Sequence, residues 1–204
     1  RRLVASGNIG RLYAARLATH DPQPAHDAYI RASGGLFRDM MIHDFDILRW
    51  TTGLEVIEVY AKGNALTDNK VFPDIGDVDT AAALLTLEGG PVAVVTGLRH
   101  DPLGYDVRLE LFGSGDSVVV GTGGKEPLRA LDGDPEDGST KRHQFFMDRF
   151  ESAYRDELKA FLKVARGEMV SPCSGTDALE ALRIAEAATR SLREGRPITM
   201  KDIP

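Results

Sequence analysis

The sequence of 204 residues contains a single cysteine, Cys173. One cysteine excludes an intramolecular disulfide and any zinc site built from clustered cysteines. No histidine lies near Cys173 in the sequence, so nothing indicates a catalytic thiol there. This cysteine content is typical of proteins in a reducing compartment, and we expect the chain to be cytoplasmic.

Long hydrophobic runs and clusters of positive charge are also missing. The longest apolar stretches, residues 80–87 and 91–96, are too short to span a bilayer, and the first residues contain no apolar signal core. The net charge is −6, and no stretch combines lysine and arginine with aromatic residues. We therefore expect no membrane and no nucleic acid among the partners.

The alternation of polar and apolar residues predicts one α+β domain that covers residues 1–204. We expect strands at residues 11–19, 55–63, 79–87, 91–99, 106–112 and 117–121, and helices at residues 36–50, 145–166 and 176–193. Two pairs of these strands are joined by short glycine-rich turns, at residues 88–90 and 113–116, and such hairpins are antiparallel. The predicted fold is therefore a mostly antiparallel open sheet with helices packed against it.

One strand is apolar on both of its faces, and this predicts how the sheet is covered. Ala81, Ala83 and Leu85 lie on one face of this strand. Ala82 and Leu84 lie on the other. Helices over one face and a partner subunit over the other would account for both. We expect helices on one face only, with the other face available for oligomerisation.

Two other patterns indicate structure rather than chemistry. Phe146, Phe150 and Tyr154 recur at four-residue steps in the first of the two C-terminal helices, and we expect them in the core. The glycine-rich residues 113–117 and 121–125 do not lie between a strand and a helix, as a dinucleotide- or phosphate-binding loop requires. We therefore predict no cofactor-binding residues in this chain.

The clearest candidate for chemistry is Asp39-x-x-x-His43, in the predicted helix at residues 36–50. Residues four apart lie one turn above each other, and a carboxylate there fixes the tautomer of an imidazole and raises its basicity. Asp46 reaches the same side of the helix. The same spacing also occurs on ordinary solvated helix faces. A metal site formed by Asp39, His43 and Asp46 would lack a second histidine, and we predict no metal site.

A polar loop precedes this helix and could line the same cleft. His20, Asp21 and Pro22 begin the loop, which runs to about residue 35 and is long for a compact domain unless it has a function. An ordinary surface loop is an equal alternative. Tyr105 starts another strand after a second polar loop, where a half-buried strand aromatic is the simpler interpretation.

Taken in order, these motifs resemble the Gfo/Idh/MocA oxidoreductases, and among them the inositol 2-dehydrogenases. The matching segments are residues 6–11, 20–22, 35–46, 103–106, 149–157 and 195–198. The resemblance covers nearly the whole chain, and the ordered set is far more specific than any one motif.

The resemblance implies a two-domain enzyme in which a Rossmann domain binds NAD or NADP and precedes this segment. Residues 1–204 would then be the C-terminal substrate and oligomerisation domain, which lacks the Rossmann domain and is inactive alone. The sequence starts without methionine, as a piece of a longer protein would. Members of the family oxidise a secondary hydroxyl of a cyclitol or sugar by hydride transfer to the nicotinamide.

Carried over by position, the resemblance makes His43 the group that exchanges the hydroxyl proton and Asp39 the residue that orients it. His20, Asp21 and Tyr105 would line the polyol site. The resemblance also implies a homodimer or homotetramer formed through the outer face of the sheet. The alternative is a non-catalytic polyol-binding or oligomerisation module derived from the family, and a family member with another substrate class is a third interpretation.

Overall fold

The fold is built on one mixed sheet of seven strands. A computed structural model describes residues 1–122 and 143–204 of the chain. Its strands are β1 (Leu12–His20), β2 (Val56–Asn64), β3 (Thr80–Leu87), β4 (Val92–Leu98), β5 (Asp106–Gly113), β6 (Ser117–Val120) and β7 (Ile198–Thr199). They are arranged in the order β6-β5-β1-β4-β3-β2-β7.

The predicted hairpins are confirmed, but the sheet is not purely antiparallel. Strands β3 and β4 pair antiparallel, as do β5 and β6. Strands β1 and β4 pair parallel, with Ala14 opposite Val92 and His20 opposite Leu98. A parallel pair cannot be closed by a short turn, and here the chain between the two strands includes several helices and two further strands. No local pattern in the sequence indicates such a pairing.

The described part of the chain also contains helices of different lengths. They are α1 (Arg2–Ala5), α2 (Asp27–Ala32), a π-helix (Phe37–Met41), α3 (Ile42–Thr52), α4 (Val71–Ile75), α5 (Phe146–Arg149), α6 (Glu151–Ala165), α7 (Gly175–Glu194) and a 3₁₀ turn (Met200–Asp202). In the described part of the chain, no helix has the length and apolar character that crossing a bilayer requires.

The predicted loop after β1 contains the helix α2. It begins after His26, whose side-chain nitrogen accepts a hydrogen bond from the Tyr29 N–H at 3.1 Å. Histidine is not among the usual N-cap residues, so this helix start is hard to predict from the residues alone. The helix brings Tyr29 to the edge of the site described below.

Helix α7 covers one face of the sheet. Ser174 and Asp177 form a capping box at its start, and Gly195 ends it in the left-handed conformation. Its buried side is lined by small residues, which let the helix lie close to β2. There the N–H of Ala61 donates to the hydroxyl of Ser191 at 2.9 Å. Helix α7 also packs against α3 and the π-helix, so the helical layer is continuous above the sheet.

Among the residues described, the opposite face of the sheet exposes apolar side chains, as predicted. Leu84 of β3 stands directly opposite Val94 of β4, so both side chains project to the same face. They are 46% and 41% exposed. On β3 the alternate residues Ala81, Ala83 and Leu85 are buried beneath the helices. Helices therefore cover one apolar face of β3, and the other face is exposed in the described part of the chain.

The prediction that Phe146, Phe150 and Tyr154 form part of the core is wrong. Phe146 and Tyr154 are exposed, and no residue of α6 is buried. Phe150 is half-buried against Tyr105, with ring centroids 6.2 Å apart, and it interrupts the predicted single helix between α5 and α6. Helical periodicity identifies an apolar face, but it does not show whether another part of the molecule covers that face.

The π-helix lies unusually close to strand β4. A methyl group added to Gly97 would lie 2.6 Å from Cγ and 2.7 Å from Sδ of Met41, which is fully buried. Only glycine allows this approach without moving the helix. Asp39 belongs to the same helix. The missing side chain at Gly97 therefore helps to set how close Asp39 lies to the sheet edge.

We expect Gly97→Ala to lower the free energy of unfolding by ~1–3 kcal/mol, because the added methyl overpacks a filled interior. Urea denaturation of the two proteins would measure the loss. The matched control is Gly175→Ala, where nothing lies within 4 Å of the new methyl and no left-handed backbone is required. Equal stability of the Gly97→Ala variant and the wild type would show that the π-helix moves away without cost.

Candidate functional site

Three connections converge at one edge of the sheet. Because β1 and β4 are parallel, both end at the same edge, and the antiparallel β5 begins there. Asp21 directly follows β1, Arg99 directly follows β4, and Tyr105 directly precedes β5. The N–H of Asp21 donates to the carbonyl of Leu98 at 2.8 Å. The three polar residues are therefore held near each other by the sheet itself.

Arg99 is the centre of the charged groups at this edge. Its side chain is only 2% exposed, and Nη2 lies 2.6 Å from Oδ2 of Asp39. Nη1 lies 3.8 Å from Oδ2 of Asp21. On the other side of Asp39, the hydroxyl of Tyr29 donates to Oδ1 at 2.5 Å. One buried cation thus holds two carboxylates from different segments of the chain.

The predicted partnership of Asp39 and His43 is not a direct contact in this structure. Within the residues described, no hydrogen bond or ion pair joins them. Asp39 is oriented by Tyr29 and Arg99 instead, and His43 is exposed at the start of α3. The carboxylate that interacts electrostatically with His43 is Asp46. Burial raises the pKa of Asp46, and the nearby His43 acts in the opposite direction. The roles predicted for Asp39 and His43 stay predictions.

Asp21 and Tyr105, both predicted to line a substrate site, are close enough to influence each other. Burial raises the pKa of Asp21 to about 6, with Arg99 lowering it and Asp39 raising it further. Burial also raises the pKa of Tyr105, and the negative charge of Asp21 adds to this effect. Near neutral pH the pair therefore offers a phenol that keeps its proton and a carboxyl group that titrates in the physiological range.

His20 lies on the other face of the sheet. Thr19 points to the helical layer, where its hydroxyl donates to Asp44 Oδ1 at 3.0 Å. Neighbouring side chains on a strand point to opposite faces, so His20 points away from that layer. His20 Nε2 lies 3.0 Å from the hydroxyl of Thr96, and Nδ1 lies 3.5 Å from Asp101 Oδ2. The structure thus brings Asp21, but not His20, next to Asp39 and Arg99.

The surroundings of His20 have the spacing of a metal site but not its charge pattern. Ligand atoms of His20, Asp101 and Asp106 all lie within 4.8 Å of one another. Asp106 is already paired with Arg108, whose Nε lies 2.8 Å from Oδ1. Burial lowers the pKa of His20, against the opposite effect of the two carboxylates. The most buried of these carboxylates, Asp106, is therefore already paired with a cationic side chain.

Asp44 is a functional candidate that the sequence reasoning passed over, because its neighbours His43 and Asp46 had the helical spacing. It is 2% exposed, and its Oδ2 has no hydrogen-bond partner among the residues described. Burial raises its pKa to about 8, while the hydrogen bond from Thr19 acts in the opposite direction. At neutral pH, Asp44 is therefore mainly a neutral carboxylic acid beneath the site.

The two motifs set aside in the sequence do not take part in this site. The N–H of Gly115 donates to the carbonyl of Ile9 at 3.0 Å, and the N–H of Ser114 donates to the carbonyl of Arg11 at 2.9 Å. The donors of this glycine-rich turn are therefore used within the fold. Cys173 is exposed, and desolvation together with Asp46 and Asp177 raises its pKa, which disfavours the reactive thiolate. Most of residues 121–125 lie outside the described part.

We expect Asp44→Asn to stabilise the protein at neutral pH and to have little effect in acid. The folded-state pKa of Asp44 lies above its ordinary value of 3.8. The contribution of neutral Asp44 to the free energy of unfolding is therefore fully present below pH 3.8. It is lost progressively as the pH rises to about 8. Asparagine stays neutral throughout. The variant should gain ~5 kcal/mol at about pH 7.5, from about 1.4 kcal/mol for each pH unit above 3.8, and almost nothing at about pH 4.

Thermal denaturation at the two pH values would test this expectation. Asp68→Asn, at an exposed position, is the matched control and should leave stability unchanged at both. An equal gain for Asp44→Asn at both pH values would mean that its charge is not the cause.

Comparison with known proteins relates this chain to dehydrogenases. The model of the GFO/IDH/MocA C-terminal domain matches residues 1–119. A myo-inositol dehydrogenase of Streptomyces leeuwenhoekii is 39% identical over 198 residues, covering 96% of this chain and 58% of the relative. The chain therefore spans about three fifths of the length of that relative.

Solved structures of inositol dehydrogenases have a fold similar to that of this chain. The crystal structure of a myo-inositol dehydrogenase from Corynebacterium glutamicum has a TM-score of 0.84 at 32% identity, covering 97% of this chain and 59% of that one. A scyllo-inositol dehydrogenase from Lactobacillus casei, solved with bound NAD(H) and scyllo-inositol, has a TM-score of 0.81 at 27% identity. The match covers 98% of this chain and 60% of that one.

Proposed function

This chain belongs to the Gfo/Idh/MocA family, as its C-terminal domain, and on that basis we propose its function. It is the substrate-binding and catalytic half of an NAD(P)-dependent dehydrogenase that oxidises a secondary hydroxyl of a cyclitol, such as myo-inositol, or of a sugar. Relatives named as myo-inositol dehydrogenases share 36–39% of their aligned residues with it, which supports a cyclitol.

The observation that carries the proposal is the polar group at the sheet edge. Asp21, Asp39, Arg99 and Tyr105 meet where β1, β4 and β5 come together, and Tyr29 adds a hydroxyl from α2. A polyol presents several hydroxyls, each of which can donate and accept. Fixed carboxylates and phenols are the groups that discriminate such a ligand from an apolar one.

In this proposal, His43 is the base. When bound, the nicotinamide of NAD(P) accepts a hydride from the carbon that carries the hydroxyl. The hydroxyl proton must then pass to a base within hydrogen-bonding distance, and an imidazole can bind and release a proton near neutral pH. His43 is exposed at the first turn of α3, directly after the π-helix that carries Asp39. Asp21 and Tyr105 hold the other hydroxyls. The substrate role predicted for His20 stays a prediction.

The cofactor would be held mainly by a Rossmann domain that lies outside residues 1–204. In the glycine-rich turn at residues 113–116, the N–H groups of Gly113, Ser114 and Gly115 donate within the fold, which does not favour a pyrophosphate site there. NAD rather than NADP is favoured by the relative that was solved with NAD(H). The cytoplasm is the compartment that we assign, on the single cysteine.

We expect His43→Ala to abolish hydride transfer in an enzyme that contains this chain. The chain would be fused behind the dinucleotide-binding domain of the Corynebacterium relative, and NADH formation would be followed by absorbance with myo-inositol as substrate. Loss of a general base should lower kcat by about 10²–10⁴-fold. His100→Ala, which removes another exposed histidine, is the matched control and should retain activity.

Each outcome of this experiment bears on a different part of the proposal. If His43→Ala were as active as the fused wild type, His43 would not be the base. If the fused wild type bound NAD and myo-inositol without reducing NAD, a non-catalytic polyol-binding module would be the better interpretation.

We further assign the uncovered sheet face as the interface of a homodimer or homotetramer. Besides Leu84 and Val94, this face presents Val92 of β4, which is 41% exposed. Exposed apolar residues that adjoin one another on a flat sheet are typical of a subunit interface. Arg16 and Glu110 form an ion pair between β1 and β5 at 3.5 Å on the same face, which would place charges beside the apolar area.

We expect the chain to self-associate and Val94→Lys to prevent it, because a charge in the centre of an apolar interface would be buried without a partner. Sedimentation velocity over a range of concentrations would measure the oligomeric state. Leu66→Lys, at an exposed position outside the sheet, is the control and should leave association unchanged. A wild-type chain that stays monomeric at high concentration would contradict the assignment.

A further inference from the structure

Among the residues described, two carboxylate neighbours offset the cost of burying the side chain of Arg99. Among the residues described, Nε has no hydrogen-bond acceptor, and the contact from Nη2 to Asp39 is an ion pair without the angles of a hydrogen bond. Arg99 is fixed at its backbone as well, because its N–H donates to the carbonyl of Asp79 at 2.8 Å. A buried guanidinium that lacks neutral acceptors is held in place by charge.

The backbone anchor of Arg99 is itself rigid. Asp79 is fully buried, and its carboxylate accepts hydrogen bonds from the N–H groups of Leu66 and Thr67. The hydroxyls of Thr67 and Thr80 donate to the same carboxylate at 2.7 and 2.8 Å. Arg99 therefore extends from a fixed point, and its guanidinium sets where the carboxylates can lie.

Asp39 is held from both sides. Oδ2 faces Arg99, and Oδ1 accepts from the hydroxyl of Tyr29 on α2. Asp21, on the far side of the guanidinium, makes no side-chain hydrogen bond within the described part of the chain and is oriented by the charge of Arg99 at 3.8 Å. Two carboxylates that would otherwise repel each other share one cation.

We propose that Arg99 is the positioning residue of this site, whose guanidinium holds Asp21 and Asp39 together so that their free lone pairs face a polyol. The proposal rests on the proposed function for the identity of the ligand, and on the geometry alone for the role of Arg99. Arg99 acts through the two carboxylates, and no contact of its own with the substrate is required.

The charge state of Asp21 follows from this arrangement. The groups that act on it come from three segments: Arg99 after β4, Asp39 on the π-helix and Tyr29 on α2, with Tyr105 nearby at the start of β5. Arg99 favours the ionised form of Asp21, and Asp39 disfavours it. Loss of the cation should leave Asp21 protonated at neutral pH, and loss of the Asp39 charge should have the opposite effect.

Carbon-13 NMR of the aspartate carboxyl groups, recorded on residues 1–204 over a range of pH, tests the role directly. We expect Arg99→Met to raise the titration midpoint of Asp21 by about one pH unit or more. Arg99→Lys keeps the charge but not the planar group, and its midpoint should lie between those of the wild type and Arg99→Met. Asp39→Asn should lower the midpoint. Amide spectra establish that each variant is folded.

Titration of myo-inositol into the same samples links the role to the ligand. We expect binding to weaken at least tenfold in Arg99→Met and to recover in part in Arg99→Lys. Arg196→Met, an exposed arginine far along the sequence, is the matched control and should leave both the Asp21 midpoint and binding unchanged.

The two measurements separate the two ideas. If Arg99→Met folds and its Asp21 midpoint is unchanged, the positioning role is overturned. If Arg99→Met does not fold, unchanged midpoints in folded Arg99→Lys and Asp39→Asn overturn it instead. If the midpoint depends on Arg99 as expected, but the wild-type chain fused behind the dinucleotide-binding domain does not bind myo-inositol, the positioning role is upheld and the proposed function is contradicted instead.

Discussion

The parallel pairing of β1 with β4 is the constraint on which the site depends. In a sheet whose other neighbours are all antiparallel, this one pair puts the ends of two strands at the same edge. Asp21 and Arg99 follow those ends directly, and Asp21 is tied to β4 by the hydrogen bond to Leu98. Were β1 antiparallel to β4, the two side chains would lie at opposite ends of the sheet, about a strand length apart.

Electrostatics at this edge are organised by burial as much as by pairing. Asp44, beneath the site, is mainly neutral at pH 7 because it is buried without a cation. Asp21 is partly solvated and close to Arg99, and it titrates near pH 6. Two aspartates of the same site therefore differ in charge at neutral pH, because their distances from one guanidinium and from solvent differ.

Local sequence signals predicted those parts of the fold that local interactions determine. The glycine turn at residues 88–90 was enough to predict an antiparallel β3–β4 hairpin. The Ser/Thr-rich cap region and Gly195 were enough to predict the ends of α7 to within a residue. The β1–β4 pairing joins segments about 80 residues apart, and no local pattern encodes it. For the same reason, the sequence did not single out Arg99, because its partners Asp21 and Asp39 are distant in the sequence.

The candidate site was predictable in composition but not in geometry. The motif around His20 and Asp21 lies where β1 ends, but a strand end directs adjacent residues to opposite faces, and a shift of one position exchanges them. Asp39 and His43 had the spacing of a contacting pair in a regular helix. The structure instead gives Asp39 to Arg99 and Tyr29, which only the packing of α2 and the β4–β5 connection could reveal.

The π-helix at residues 37–41 has a consequence for how this segment could diverge. A π turn holds one residue more than an α turn. Asp39 lies within this turn, whereas Asp44 lies in the regular helix after it and is tied to β1 by the hydrogen bond from Thr19. Deleting a single residue there would restore a regular helix and rotate everything before it by about 100° relative to α3. Asp39 would then turn away from Arg99 while His43 kept its place. A chain shorter by one residue in this segment would therefore hold Asp39 and His43 in a different relative geometry, even with both side chains retained.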